Sequence, residues 1–181
     1  LLSLLSLAVS TNLIVVKSFS KTFGLAGLRL GFGIMSEAVV ETFHKIRDVY
    51  NVDRLSHAAG IAALSDQEYY GAKQKQILSV RDQFSDFLKN ELGWQVYPSS
   101  TNFVFTFPRK CQGDADQSVA QDLYSFLVEH KILVRYFSNH PLIEAGLRIS
   151  VGTPEQMDLV QNTMKRWASN GPMNHQPKYE L

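Results

Sequence analysis

Cysteine is almost missing from this chain. Cys111 stands alone, which rules out an internal disulfide or a cysteine-cluster metal site and points to a reducing, cytoplasmic setting. Six Pro and 11 Gly in 181 residues are too few for a low-complexity linker protein. Neither sign of charge dominates: 18 basic against 17 acidic residues give a net charge of +1, so no long-range field marks a nucleic-acid or membrane partner. No apolar run reaches the roughly 20 residues that span a bilayer. The leucine-rich residues 1–16 are broken by Ser3, Ser6, Ser10, Thr11 and Asn12. They lack a basic leader and an obvious small-residue cleavage site, so they read as a helix end, a polar turn and a buried strand. His44, His57, His130, His140 and His175 show no metal-ligand spacing. What is present is a globular composition, 45% hydrophobic and 11% aromatic, with enough apolar material for a sizeable core.

Periodicity orders the chain. Leu13, Ile14, Val15 and Val16 form a short apolar run with β-branched members, the pattern of a strand buried on both faces of a parallel sheet. Gly24, Gly27, Gly31 and Gly33 punctuate the next stretch, and residues 30–35 read as a second strand. Ser36 can cap a helix in which Val39, Val40, Phe43, Ile46 and Val49 recur at helical spacing. A small-residue helix at 55–64 and a long helix at 67–92, ended by Gly93, come next. Strands are expected at 94–97, 102–107, 132–137 and 147–151, and a helix at 118–130 after a polar loop. Phe103, Phe105 and Phe107 alternate, as on one face of a packed strand. Thr153, Pro154 and Gln156 announce a last helix through the reciprocal cap and the proline at its first position. Residues 169–181 have no periodicity and read as a disordered tail. The expected organisation is α/β: residues 1–73 as the end of a larger α/β unit, 74–168 as a small α/β sandwich, then the tail.

The chemistry gathers around Lys21. It comes directly after the first apolar strand and is flanked by Ser18, Ser20 and Thr22. Desolvation lowers a lysine's pKa and leaves a nucleophilic amine that condenses with carbonyls. Ser18 and Ser20 fall on one side of an extended segment and suit a phosphate, as does the planar fork of Arg29. A phosphate-bearing aldehyde such as pyridoxal phosphate engages all of these groups together. The residues alone also admit the plainer reading, two solvated charges in a glycine-containing loop. A phosphate-binding P-loop does not fit, because its glycine–lysine order is absent.

The run Ser-Phe-Ser-Lys-Thr-Phe-Gly-Leu-Ala-Gly-Leu-Arg-Leu-Gly over residues 18–31 resembles the cofactor-lysine motif of class I and II aminotransferases of fold type I, in particular the histidinol-phosphate aminotransferases. Residues 50–56, 101–104, 132–135 and 147–153 resemble further motifs of that family in the same order, and the likeness runs from about Asn12 to Trp167. It implies pyridoxal 5'-phosphate as cofactor. Lys21 is then the lysine that attaches it and carries a proton, and Ser18, Ser20 and Arg29 hold its phosphate. Arg148 receives the substrate's anionic group, with Arg135 as a second anion contact. The residues themselves leave Arg135 open as a sheet-edge charge, Arg148 as half of a salt bridge and Asn102 as a structural side chain. Tyr50 is open as an entrance residue or a core or interface tyrosine.

The resemblance also implies a reaction, histidinol phosphate with 2-oxoglutarate in histidine biosynthesis, by a cytoplasmic homodimer acting on small molecules and on neither nucleic acid nor membrane. In that family an aspartate, a stacking aromatic, an asparagine and a tyrosine contact the cofactor ring. Residues 1–17 contain no Asp and no aromatic residue to replace them. The expectation is therefore the C-terminal portion of such an enzyme. Two rivals remain: a threonine-phosphate decarboxylase or other aminotransferase on the same scaffold, and a non-catalytic module used for binding or dimerisation.

Overall fold

A computed structural model of the chain describes residues 6–9, 12–110 and 115–169. The chain divides into two units, Leu1–Gln74 and Lys75–Leu181. In the first, β1 (Val15–Ser18) and β2 (Gly31–Ile34) pair antiparallel, Val15 opposite Ile34 and Ser18 opposite Gly31. A Cβ at position 31 would stand 2.8 Å from the Lys17 carbonyl oxygen, so glycine is what lets the strands close at this end. This corrects the expected buried parallel strand at 13–16. The strand begins later, Val16 is 74% exposed, and its described neighbour is antiparallel. The residues between β1 and β2 contain only the short 3-10 turn Ala26–Leu28, with no helix to carry the chain back along the sheet as a parallel crossover needs.

Two helices come next, α1 (Glu37–Ile46) and α2 (Arg54–Ser65). Asp53 caps α2, accepting from the backbone N–H groups of Leu55 and Ser56 at 2.9 Å each. The apolar stripe of α1 buries no residue in the described chain, and Ile46, Val49 and Leu55 are more than three-quarters exposed. The long helix α3 (Gln67–Asp86) continues into a π-helical turn, Phe87–Glu91. Gly93 ends it with φ +68°.

The second unit holds the core. The remaining elements are β3 (Gln95–Val96), β4 (Phe103–Phe107), α4 (Gln117–Glu129), β5 (Arg135–Tyr136), β6 (Leu147–Ser150) and α5 (Pro154–Ser169). The strands form one antiparallel sheet in the order β3-β4-β6-β5. Val104, Leu147 and Ile149 on its inner face pack with Phe84, Leu123 and Trp167 from the helices. The alternation of β4 turns Phe103, Phe105 and Phe107 to the other face. There Phe105 and Phe107 pack on each other and on Tyr97, and Phe105 on Phe137, rather than in the main core. The cap on α5 forms as expected: Thr153 N–H donates to Gln156 Oε1 at 2.9 Å, and Gln156 N–H to Thr153 Oγ1 at 3.3 Å. Cys111 and the expected tail beyond Ser169 lie outside the described residues. Among the described residues no helix is long and apolar enough to cross a membrane, and no cluster of three metal-ligating side chains occurs.

Candidate active site

The first group of candidate residues sits in the loop between β1 and β2. Phe19 is buried and anchors it: its N–H donates to the Leu30 carbonyl at 3.1 Å, and its own carbonyl accepts from Leu25 N–H at 3.1 Å. Those bonds close the neck, with Ser18 at the end of β1, Ser20 in the turn beyond it, and Arg29 and Leu30 just ahead of β2. Ser18 Oγ accepts from Ser20 N–H at 3.1 Å, a local turn that fixes both hydroxyl-bearing residues. Lys21 opens a tight turn in which Gly24 N–H donates to the Lys21 carbonyl at 3.2 Å, and Gly24 takes φ +66°. The Lys21 side chain is exposed and makes no hydrogen bond or ion pair with a described residue. Arg29 is left-handed, φ +50°, a conformation that L side chains rarely adopt.

Helix α2 braces this loop. Ser56 is 4% exposed, and its Oγ lies between Asp53 Oδ2 and the Leu28 carbonyl, next to Arg29. Gly60 lies against Leu30, whose Cδ2 would stand 2.6 Å from an added Cβ. The sequence carries a signal for this brace, the Asp53-x-x-Ser56 cap at the start of a small-residue helix, but its contact with the loop is not readable without the fold. An apolar groove of about 290 Å³ lies beside the brace, lined by Phe19, Phe32, Val52, Ile61 and Leu64, with His57 its one titratable side chain.

The second group is on the outer face of the sheet in the other unit. Arg135 on β5 and Arg148 on β6 are directly opposed. Neither meets an acidic partner among the described residues, which removes the salt-bridge reading of Arg148 there. Each lies over a ring instead: Arg148 Cζ is 5.2 Å from the centre of Phe103, and Arg135 Cζ is 5.7 Å from that of Phe137. These rings were not expected as site residues, although the i, i+2 spacing of Arg135 and Phe137 was visible. Asn102 acts through its backbone, its carbonyl accepting from Val151 N–H at 2.9 Å. Tyr50 belongs to neither group: it is 90% exposed, and its N–H donates to Asp48 Oδ1 at 3.4 Å.

The family profile for aminotransferase class I and II matches residues 2–162. The chain belongs to that family. It is 46% identical over 147 residues to a histidinol-phosphate aminotransferase from Syntrophotalea carbinolica, covering 81% of this chain and 40% of the relative. The match to the protein of the same name from Geobacter sulfurreducens is 42% identical, covering 85% and 41%. This chain therefore spans about 40% of the length of these curated relatives. Among solved structures it resembles the histidinol-phosphate aminotransferase of Sinorhizobium meliloti in complex with pyridoxal-5'-phosphate. The TM-score is 0.74 at 29% identity, covering 91% of this chain and 44% of that one. An α/β aminotransferase fold of fold type I is thus the fold of this class I and II aminotransferase segment.

Proposed function

We propose that this chain is the part of a pyridoxal-5'-phosphate-dependent aminotransferase that carries the cofactor lysine and the substrate-anion arginines. The whole enzyme exchanges an amino group between histidinol phosphate and 2-oxoglutarate in histidine biosynthesis. The observation that carries the reading is the opposed pair Arg135 and Arg148, two guanidinium forks on one sheet face without an acidic partner among the described residues. An enzyme that handles two substrates in turn at one site needs a receiver for a phosphate and for a carboxylate, and an arginine pair accepts both.

The residues of the β1–β2 loop fit the cofactor. Lys21 offers an amine engaged by no described residue, and ideal Cβ positions at Gly24 and Gly27 meet nothing within 4 Å, so the loop leaves open room. Two hydroxyls and a guanidinium at its neck suit a phosphate. When bound, pyridoxal phosphate supplies an electron-accepting ring that stabilises the charge left as a proton leaves the substrate's α-carbon. Lys21 Nζ holds the cofactor at rest and moves the proton at that carbon. Ser18, Ser20 and Arg29 bind the cofactor phosphate, Arg148 and Arg135 bind the anionic end of the substrate, and Tyr50 lines the entrance. A cytoplasmic homodimer is the setting this reading carries. The exposed apolar side chains at Val49 and Leu55 supply surface for such an interface.

Borohydride reduction of the holoenzyme that carries this chain, followed by peptide mapping, should place the cofactor on Lys21; a label elsewhere overturns the assignment. Histidinol phosphate should exchange its amino group with 2-oxoglutarate, whereas release of carbon dioxide from threonine phosphate would move the enzyme to the decarboxylase rival. A complete, folded protein that shows no cofactor absorbance band after pyridoxal phosphate is added would leave only a binding or dimerisation module.

A further inference from the structure

We infer that Phe103 and Phe137 are positioning residues that hold Arg148 and Arg135 through their rings and leave the N–H donors of both guanidinium groups free for an anion. The inference rests on the anion-receiving role proposed for the two arginines.

Like charges directly opposed across an antiparallel pair repel, so Arg135 and Arg148 need an attractive partner to stay side by side. An acid would supply it and would occupy the same N–H fork that an incoming phosphate must use. The described partners are rings. Phe103 faces Ser150 in the register, two residues along from the Phe105–Arg148 pair, and its ring takes Arg148 diagonally at 5.2 Å. Phe137 lies two residues from Arg135 on the same side and takes it at 5.7 Å. A ring attracts the cation through its quadrupole without occupying a hydrogen-bond donor, so the N–H groups stay available.

The Phe137 ring is itself braced. Phe105 stands edge-on to Phe137, centroids 6.2 Å apart, and to Phe107 at 5.3 Å. Phe105 fits there because residue 146 is glycine; a Cβ on Gly146 would collide with the ring. A long exposed arginine loses rotamer entropy when it binds a ligand, and one held over a ring has lost part of it beforehand.

The test uses the 181-residue chain with arginine side-chain Nε–Hε resonances read by NMR, titrated with inorganic phosphate at constant ionic strength. In the parent chain phosphate should shift both Arg135 and Arg148. Phe103→Leu keeps an apolar side chain but removes the ring. It should abolish the ring-current displacement of the Arg148 resonance and weaken phosphate about threefold to tenfold, with backbone shifts elsewhere unchanged. Phe103→Tyr should restore both. If Phe103→Leu does not fold, Phe137→Leu read at Arg135 decides in the same way. Parent-like phosphate affinity in the leucine variants overturns this inference and leaves the anion-site reading standing. Equal weakening by Phe103→Leu and Phe103→Tyr also overturns it. Absence of any phosphate shift at both arginines in the parent overturns the anion-site reading and this inference together.

Discussion

Arg29 folds back onto Ala26: its backbone N–H and its Nη1 both donate to the Ala26 carbonyl, at 3.5 and 3.1 Å, from a left-handed backbone with φ +50°. Glycine would hold that turn without strain, whereas a non-glycine residue there costs on the order of 1 kcal/mol. An arginine kept at such a position suits a group selected for what its side chain binds. Arg29→Gly should therefore raise the thermal midpoint while weakening pyridoxal phosphate by roughly tenfold or more, as expected for a lost charged hydrogen-bond donor. Arg29→Lys keeps the charge without the fork and should fall between. Cofactor titration beside thermal melting checks this, and parent-like affinity in the glycine variant removes Arg29 from the cofactor site.

The opposed arginines should show the same trade of stability against binding. Removing one of two facing like charges relieves repulsion worth a few tenths of a kcal/mol at low salt. Arg135→Gln should accordingly leave stability unchanged or slightly raised. In the proposed enzyme Arg148→Gln should raise KM for histidinol phosphate and for 2-oxoglutarate by roughly tenfold or more, and Arg135→Gln by less. Steady-state kinetics with both substrates decide the matter. An unaltered KM for both in the Arg148 variant removes it from the site.

How far the fold is legible in the residues depends on the range of the interactions. The cap at Thr153–Gln156, the long helix ending at Gly93 and the element order of the second unit are local signals, and they appear nearly where periodicity put them. The pairing of β1 was not legible, because Leu13 to Val16 is compatible with either strand direction and the direction is set by how the chain returns. The candidate site divides along the same line. Ser18, Ser20, Lys21 and Arg29 share one loop and are close together in sequence. The opposition of Arg135 to Arg148 and the placing of Arg148 over the Phe103 ring depend on strand register, which spacing does not fix.

Lys131 offers a test of the small unit alone. It occupies the left-handed position after α4, φ +61°, in a complete helix-ending motif: Lys131 N–H donates to the Val128 carbonyl and Ile132 N–H to that of Leu127, both at 2.9 Å. Glycine is the residue favoured there, and the lysine side chain is exposed. Lys131→Gly should stabilise the chain by about 1 kcal/mol in denaturant titration, while Lys131→Val should destabilise it. Loss of stability in the glycine variant would mean that the lysine side chain contributes something the described contacts do not contain.

Helix α4 should also report pH. The Ser118 hydroxyl first, then Val119 N–H, hold the Asp116 carboxyl below its ordinary value of 3.8, and its Oδ1 accepts from the latter at 2.9 Å. A carboxyl with a lower pKa in the folded state binds fewer protons there than in the unfolded chain, so stability rises with pH across that interval. The stabilisation is complete above the unfolded value and is lost as pH falls through the folded one. Asp53 at the start of α2 is lowered in the same direction, first by the Ser56 hydroxyl, and adds to the same acid limb. Asp116→Asn keeps a capping oxygen but removes the titration, so melts between pH 5 and about pH 3 should flatten relative to the parent. Asp116→Ala should cost about 1 kcal/mol at neutral pH, where Asn should cost less. An acid limb of unchanged steepness in Asp116→Asn would assign the low-pH loss to other carboxyls.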